Sequence, residues 1–170
     1  MVNRINGDLA NGLGNLAQRV LSFINKNAGA KVPEPGAFLD ADEALLGAAR
    51  ALLPKLRSDY ADQGFHRALE AIWQVIASAD RYVDEYAPWT LRKTDVARMN
   101  TVLYVLSEVI RHLAILMQPV VPAAAGKLLD QLAAPAEKRD FAALATALVP
   151  GTALPKPEGI FPRYVEEVTA

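Results

Sequence analysis

A chain of 170 residues, 52% hydrophobic and 22% charged, is long enough for one domain with a sizeable core. Eighteen basic residues against nineteen acidic ones, net −1, argue against a nucleic-acid coat that binds by global attraction and leave room only for a small local site. The absence of cysteine excludes disulfides, thiol catalysis and Cys-ligated zinc.

The composition is rich in Ala and Leu, which lose little on entering a helix. The first predicted helix runs from about Val2 to Lys26. Its apolar residues Val2, Ile5, Leu9, Leu13, Leu16, Val20, Phe23 and Ile24 fall on a stripe roughly 100° wide. The segment 1–31 holds four basic residues against Asp8 alone, so positive charge gathers at this end. Its opening, MVNRINGDLANG, lacks the apolar run of a signal peptide, and the expected compartment is cytoplasmic.

After a loop marked by Gly29, Pro33 and Pro35, a second helix is expected from Asp40 or Asp42 to about Tyr60, with Asp40 and Glu43 spaced like a capping box. Pro54 should kink or split it. A third helix, carrying Phe65, Leu69, Ile72, Trp73, Ile76 and Val83 on one side, must end near Tyr86, because Pro88 disfavours helical geometry at Ala87. Residues 87–93 read as a short loop. Thr94 or Asp95 then caps a fourth helix that is apolar around much of its circumference and belongs at the centre. Gln118 to Pro122 breaks that helix, and Pro122 opens a fifth reaching about Ala133. A short helix is expected around 141–148. Six Pro and Gly residues between Pro150 and Pro162 make 150–170 an extended tail. The apolar stretches are interrupted by Arg, His, Glu or Pro before 18 residues, so no membrane span is expected. These patterns specify an all-α bundle of four to five main helices, a single domain over 1–170.

The informative chemistry lies opposite the apolar stripe of the first helix, where Arg4, Asp8, Asn11, Asn15, Gln18, Arg19 and Ser22 share one sector. Asn11, Asn15 and Arg19 stand at i, i+4, i+8. Amides offer both donors and acceptors, and a guanidinium stacks or meets phosphate, so the set suits base reading. Asn, together with Gly12 and Gly14, weakens a helix, which a sequence built for helix stability alone would avoid. The plainer alternative is a solvated polar face. Trp89, following Pro88 where the third helix stops, offers a flat surface for an unstacked base; the alternative is that it folds back over the core. Arg92 and Lys93 are candidate contacts to stem phosphates, offset locally by Asp84, Glu85 and Asp95. The pairs His66/Glu70 and Glu108/His112 have the wrong spacing for a di-iron bundle, and no metal site is expected. Trp73 reads as core.

The run Asn6-Gly7-Asp8-Leu9-Ala10-Asn11-Gly12-Leu13-Gly14-Asn15-Leu16-Ala17-Gln18-Arg19 resembles the opening helix of the anticodon-binding domain of methionyl-tRNA synthetases, N-x-[DE]-L-x-N-x-x-x-N-L-x-x-R. Asp84-Glu85-x-Ala87-Pro88-Trp89, Leu116-x-x-Pro119-x-x-Pro122 and Ile160-Phe161-Pro162-Arg163 are similar to later motifs of the same family, in the same order. Gly12 departs from the Asp or Lys of many relatives. The resemblance implies a class I synthetase anticodon-binding bundle that recognises the CAU anticodon of methionine tRNA. It makes Asn15, Arg19 and Trp89 the principal readers, with Asn11 and Asp84 as secondary contributors. The H-I-G-H-like and K-M-S-K-S-like motifs of the catalytic part do not occur here, nor does a Gly-rich phosphate loop. The expectation is therefore no cofactor for this chain and no enzymatic activity alone. ATP and methionine would be bound by the missing catalytic domain, which is itself an expected partner; no DNA or membrane partner is expected. The alternatives are a purely structural or protein-interaction bundle, and the corresponding domain of the sister enzymes for Val, Leu, Ile or Cys.

Overall fold

A computed structural model describes residues 12–160. Seven α-helices follow one another there: α1 (Asn15–Asn27), α2 (Asp40–Arg50), α3 (Leu52–Ala61), α4 (Phe65–Tyr86), α5 (Pro88–Thr94), α6 (Val96–Met117) and α7 (Pro122–Gln131), then two 3₁₀ turns at Ala136–Lys138 and Ala142–Ala145. No strand occurs among the described residues. One antiparallel bridge, Lys31 to Ala153, lays the final segment along the loop after α1. The bonds Val32 N–H to the Thr152 carbonyl and Gly151 N–H to the Val32 carbonyl, both 2.8 Å, hold it there. The turn that makes this possible uses Gly151 at φ +80°, a conformation open to glycine without steric cost.

The all-α bundle is as expected, and α6 is its axis. It packs against α1, α2, α4, α5 and α7, and every residue from Thr101 to Met117 is buried. It is the one described helix long and apolar enough to cross a membrane, yet its surface is enclosed by the rest of the protein, which marks it as the core helix of a bundle. Asp95 caps it by accepting from the Arg98 amide at 2.9 Å. Trp73, expected in the core, is only partly buried and packs against its edge.

Several boundaries follow directly from proline chemistry. The predicted second helix is split at Ala51, three residues before Pro54, since proline has no N–H for the carbonyl of Arg50. Helix α4 ends at Tyr86 and α7 starts on Pro122, as anticipated. The capping box differs: the N-cap is Leu39, and its amide donates to Asp42 Oδ2 at 2.9 Å, so Asp42 does the work assigned to the Asp40/Glu43 pair. The short helix expected at 141–148 is a 3₁₀ turn over Ala142–Ala145. The start of the first helix, with Arg4, Asp8 and Asn11, lies outside the described residues. Gly12 and Gly14 stand in one wide π-type turn leading into α1; such turns recur at functional sites.

The main correction concerns residues 87–93, which form helix α5 rather than a loop. Ala87 takes a left-handed conformation, φ +41° and ψ 69°, which caps α4, and Pro88 is then the first residue of α5. The proline that stops one helix also starts the next. A left-handed alanine costs about 1–2 kcal/mol, so the surrounding packing imposes this corner.

Candidate nucleic-acid interface

Helix α1 turns its apolar stripe, Leu16, Ala17, Val20, Leu21 and Ile24, into the bundle. The opposite edge is thereby left to solvent. Asn15 is exposed at its start, and Arg19 follows one turn later, about 6 Å along the axis. The Arg19 guanidinium reaches across to α4, where Nη2 donates to Asp84 Oδ1 at 2.8 Å and Nη1 lies 3.7 Å from Asp80 Oδ1. Its Cζ also sits 5.9 Å from the centre of the Trp89 indole, at the outer limit of a cation–π contact. The indole is 45% exposed in the first turn of α5 and is not folded into the core. Arg19, Asp84 and Trp89, three candidates drawn from three helices, therefore meet at one seam, with Asn15 on the same edge.

The electrostatics of the seam explain why it carries no basic patch. Arg19 is flanked by two carboxylates, and the Asp84 side chain is 67% exposed, so the pair is one that solvent screens, worth at most about 1 kcal/mol. A stronger acceptor can displace Asp84 without leaving a buried charge behind. Asp80 differs. Its Oδ1 is buried with no hydrogen-bond partner among the described residues. Burial pushes its carboxyl above the ordinary range, against the pull of Arg19, and Asp84 adds to the rise. Sequence reasoning passed over Asp80; its position four residues before Asp84, on the same face of α4, was the available signal.

Farther along, Arg92 on α5 donates to Asn27 Oδ1 at 2.6 Å, a second tie between α5 and α1. The acceptor is a neutral amide, and Arg92 forms no ion pair among the described residues. Lys93 is exposed. Asn11 lies outside the described residues.

The two histidine pairs go to other uses. His66 is exposed. His112 is buried; its Nδ1 donates to the Glu108 carbonyl at 3.0 Å, and Nε2 has no partner among the described residues. Burial lowers its pKa. Glu108 accepts from Arg111 Nε at 2.9 Å and Nη2 at 2.8 Å, and from the Leu148 amide at 3.2 Å. Arg111 also donates to the carbonyls of Ala143 and Thr146. This cluster fastens the segment after α7 to the core helix.

Among the described residues, then, a helical bundle keeps an indole, a guanidinium and an amide on one solvent-facing seam. The profile of the anticodon binding domain of methionyl tRNA ligase matches residues 32–170. A methionine–tRNA ligase of Mesorhizobium japonicum is 58% identical over 98% of the chain, and that of Mycobacterium bovis 52% over 96%, the chain covering 33% and 32% of those proteins. The crystal structure of apo Mycobacterium tuberculosis methionyl-tRNA synthetase superposes with a TM-score of 0.95 at 51% identity, over 98% of this chain and 34% of that one. The chain belongs to the family of methionyl-tRNA ligase anticodon-binding domains. It spans about a third of the length of the curated relatives it matches. The reading as a sister synthetase's domain is thereby set aside.

Proposed function

We propose that the seam between α1, α4 and α5 reads the CAU anticodon loop of methionine tRNA on behalf of a methionine–tRNA ligase. Trp89 is the stacking platform for an unpaired base, an interaction worth about 1–3 kcal/mol per base. Asn15 and Arg19 supply hydrogen bonds to base edges, Arg19 exchanging Asp84 for the RNA. Asn11 contributes secondarily, as the family motif implies, Asp84 holds the guanidinium in place until the RNA arrives, and Arg92 and Lys93 meet phosphates of the stem. The observation that carries this reading is the exposed indole lying 5.9 Å from the Arg19 guanidinium.

In this reading the chain does not ligate methionine to tRNA alone. ATP and methionine are handled by a catalytic domain with which it cooperates, in the cytoplasm. The test is titration of the protein with RNA stem-loops that differ only in the three anticodon positions. The expected result is tighter binding of the CAU loop; equal affinity for CAU and scrambled loops refutes the readout.

A further inference from the structure

Around Asp42, far from the reading seam in sequence, the structure gathers an unusual number of donors. The carboxylate is fully buried in the first turn of α2. Its Oδ1 accepts from the Tyr82 hydroxyl and from Arg98 Nη2 at 2.7 Å; its Oδ2 accepts from Arg98 Nη1 at 2.6 Å and from the Leu39 amide at 2.9 Å. The Arg98 guanidinium lies 4.5 Å from the centre of the Tyr86 ring, and the Tyr86 and Tyr82 rings are 4.6 Å apart. Burial acts to raise the Asp42 pKa, but the bonds from Arg98, Tyr82 and Leu39 outweigh it and hold the carboxyl below its ordinary value.

The place of these partners is informative. Tyr86 is the last residue of α4, directly before the left-handed Ala87. Arg98 is in the first turn of α6, and its own amide closes the Asp95 cap that ends the connection. Both ends of the segment carrying Trp89 are thus tied to one carboxylate on a third helix. A buried ion pair is weak evidence for stability, since apolar residues of similar volume often do as well. What a bidentate pair on a carboxylate with both oxygens bonded supplies is a fixed geometry, although Arg98 Nε has no partner among the described residues.

We infer that Asp42, Arg98 and Tyr82 are positioning residues for Trp89, setting the orientation of α5 and hence the direction in which the indole faces the RNA. This rests on the reading that Trp89 is the stacking platform. Neither Asp42 nor Arg98 touches the seam; they act through the strained corner at Ala87 and the cap at Asp95.

The test has two readouts. In a Trp73→Phe background, which leaves Trp89 as the sole tryptophan, Arg98→Gln is expected to alter iodide quenching and anisotropy of the selectively excited indole without RNA present. Binding to a CAU stem-loop is then measured for Arg98→Gln with Trp89 and with Trp89→Ala. The expected result is a loss of about five- to tenfold with the indole and less than about twofold without it. Equal losses in both backgrounds, or unchanged quenching in a folded variant, overturn the inference. If Arg98→Gln fails to fold, Tyr82→Phe, which deletes one hydroxyl, serves in the same cycle with a smaller expected loss. If Trp89→Ala alone binds like the parent, the stacking reading fails, while quenching still decides whether the network orients the ring.

Discussion

Two arginines in this bundle hold carboxylates at 2.8 Å, and they do opposite things. Arg111 is buried on α6; Glu108, the Ala143 and Thr146 carbonyls and the Leu148 amide complete a closed network around it. Arg19 bridges α1 and α4 at the surface, its partner Asp84 mostly in solvent and an exposed indole beside it. The first arrangement leaves nothing to exchange and fastens the chain. The second is cheap to break and leaves a guanidinium to be re-used. Distance alone does not separate them; burial and the number of satisfied partners do.

The sharpest break of this contrast is Arg111→Ala. Removing one member of a buried pair leaves Glu108 uncompensated and should cost about 3–5 kcal/mol of stability, seen as a large drop in Tm. Where the variant is still folded, RNA affinity should be unchanged. Trp89→Ala should do the reverse, costing about 1–3 kcal/mol of CAU stem-loop binding with Tm held; parent-like binding would remove the stacking role. A smaller effect is expected from Arg92→Ala, which should lower the slope of log affinity against log salt by about 1 while leaving discrimination among anticodons intact. A slope equal to the parent's would mean that Arg92 meets no phosphate.

The smallest effect belongs to Asp80→Asn. Because the fold raises the pKa of Asp80, its ionised form is disfavoured there. That cost is absent below the unfolded pKa, about 3.9, and is complete once pH has risen past the folded value. The substitution should therefore raise Tm by about 1–3 °C at neutral pH and by nothing in acid. A fall in Tm at neutral pH would mean that the Arg19 contact outweighs the burial cost.

Much of the fold was legible because it is written locally. Pro54, Pro88, Asp95 and Pro122 mark helix ends through the backbone donors they lack or satisfy. The α5 helix was not legible: seven residues carry too little periodicity, and Pro88 read only as a stop. The i, i+3 pair of Glu108 and Arg111 lies on one helix, but no pattern foretold its closure by the Ala143 and Thr146 carbonyls and the Leu148 amide, which come from a distant segment. The clustering of Arg19 with Trp89, 70 positions apart, was anticipated from the family motifs. Asp42 with Arg98 was not, because 56 residues separate two groups that share no helix.

The enclosure of α6 also bears on engineering. With Thr101 to Met117 shut away on every side, the apolar core is built around a segment that offers nothing to solvent. Positions 15, 19 and 89 lie on the rim and contribute little to that core. Libraries randomised at those three sites should yield mostly folded proteins, which makes the rim a convenient platform on which to test the proposed anticodon reading.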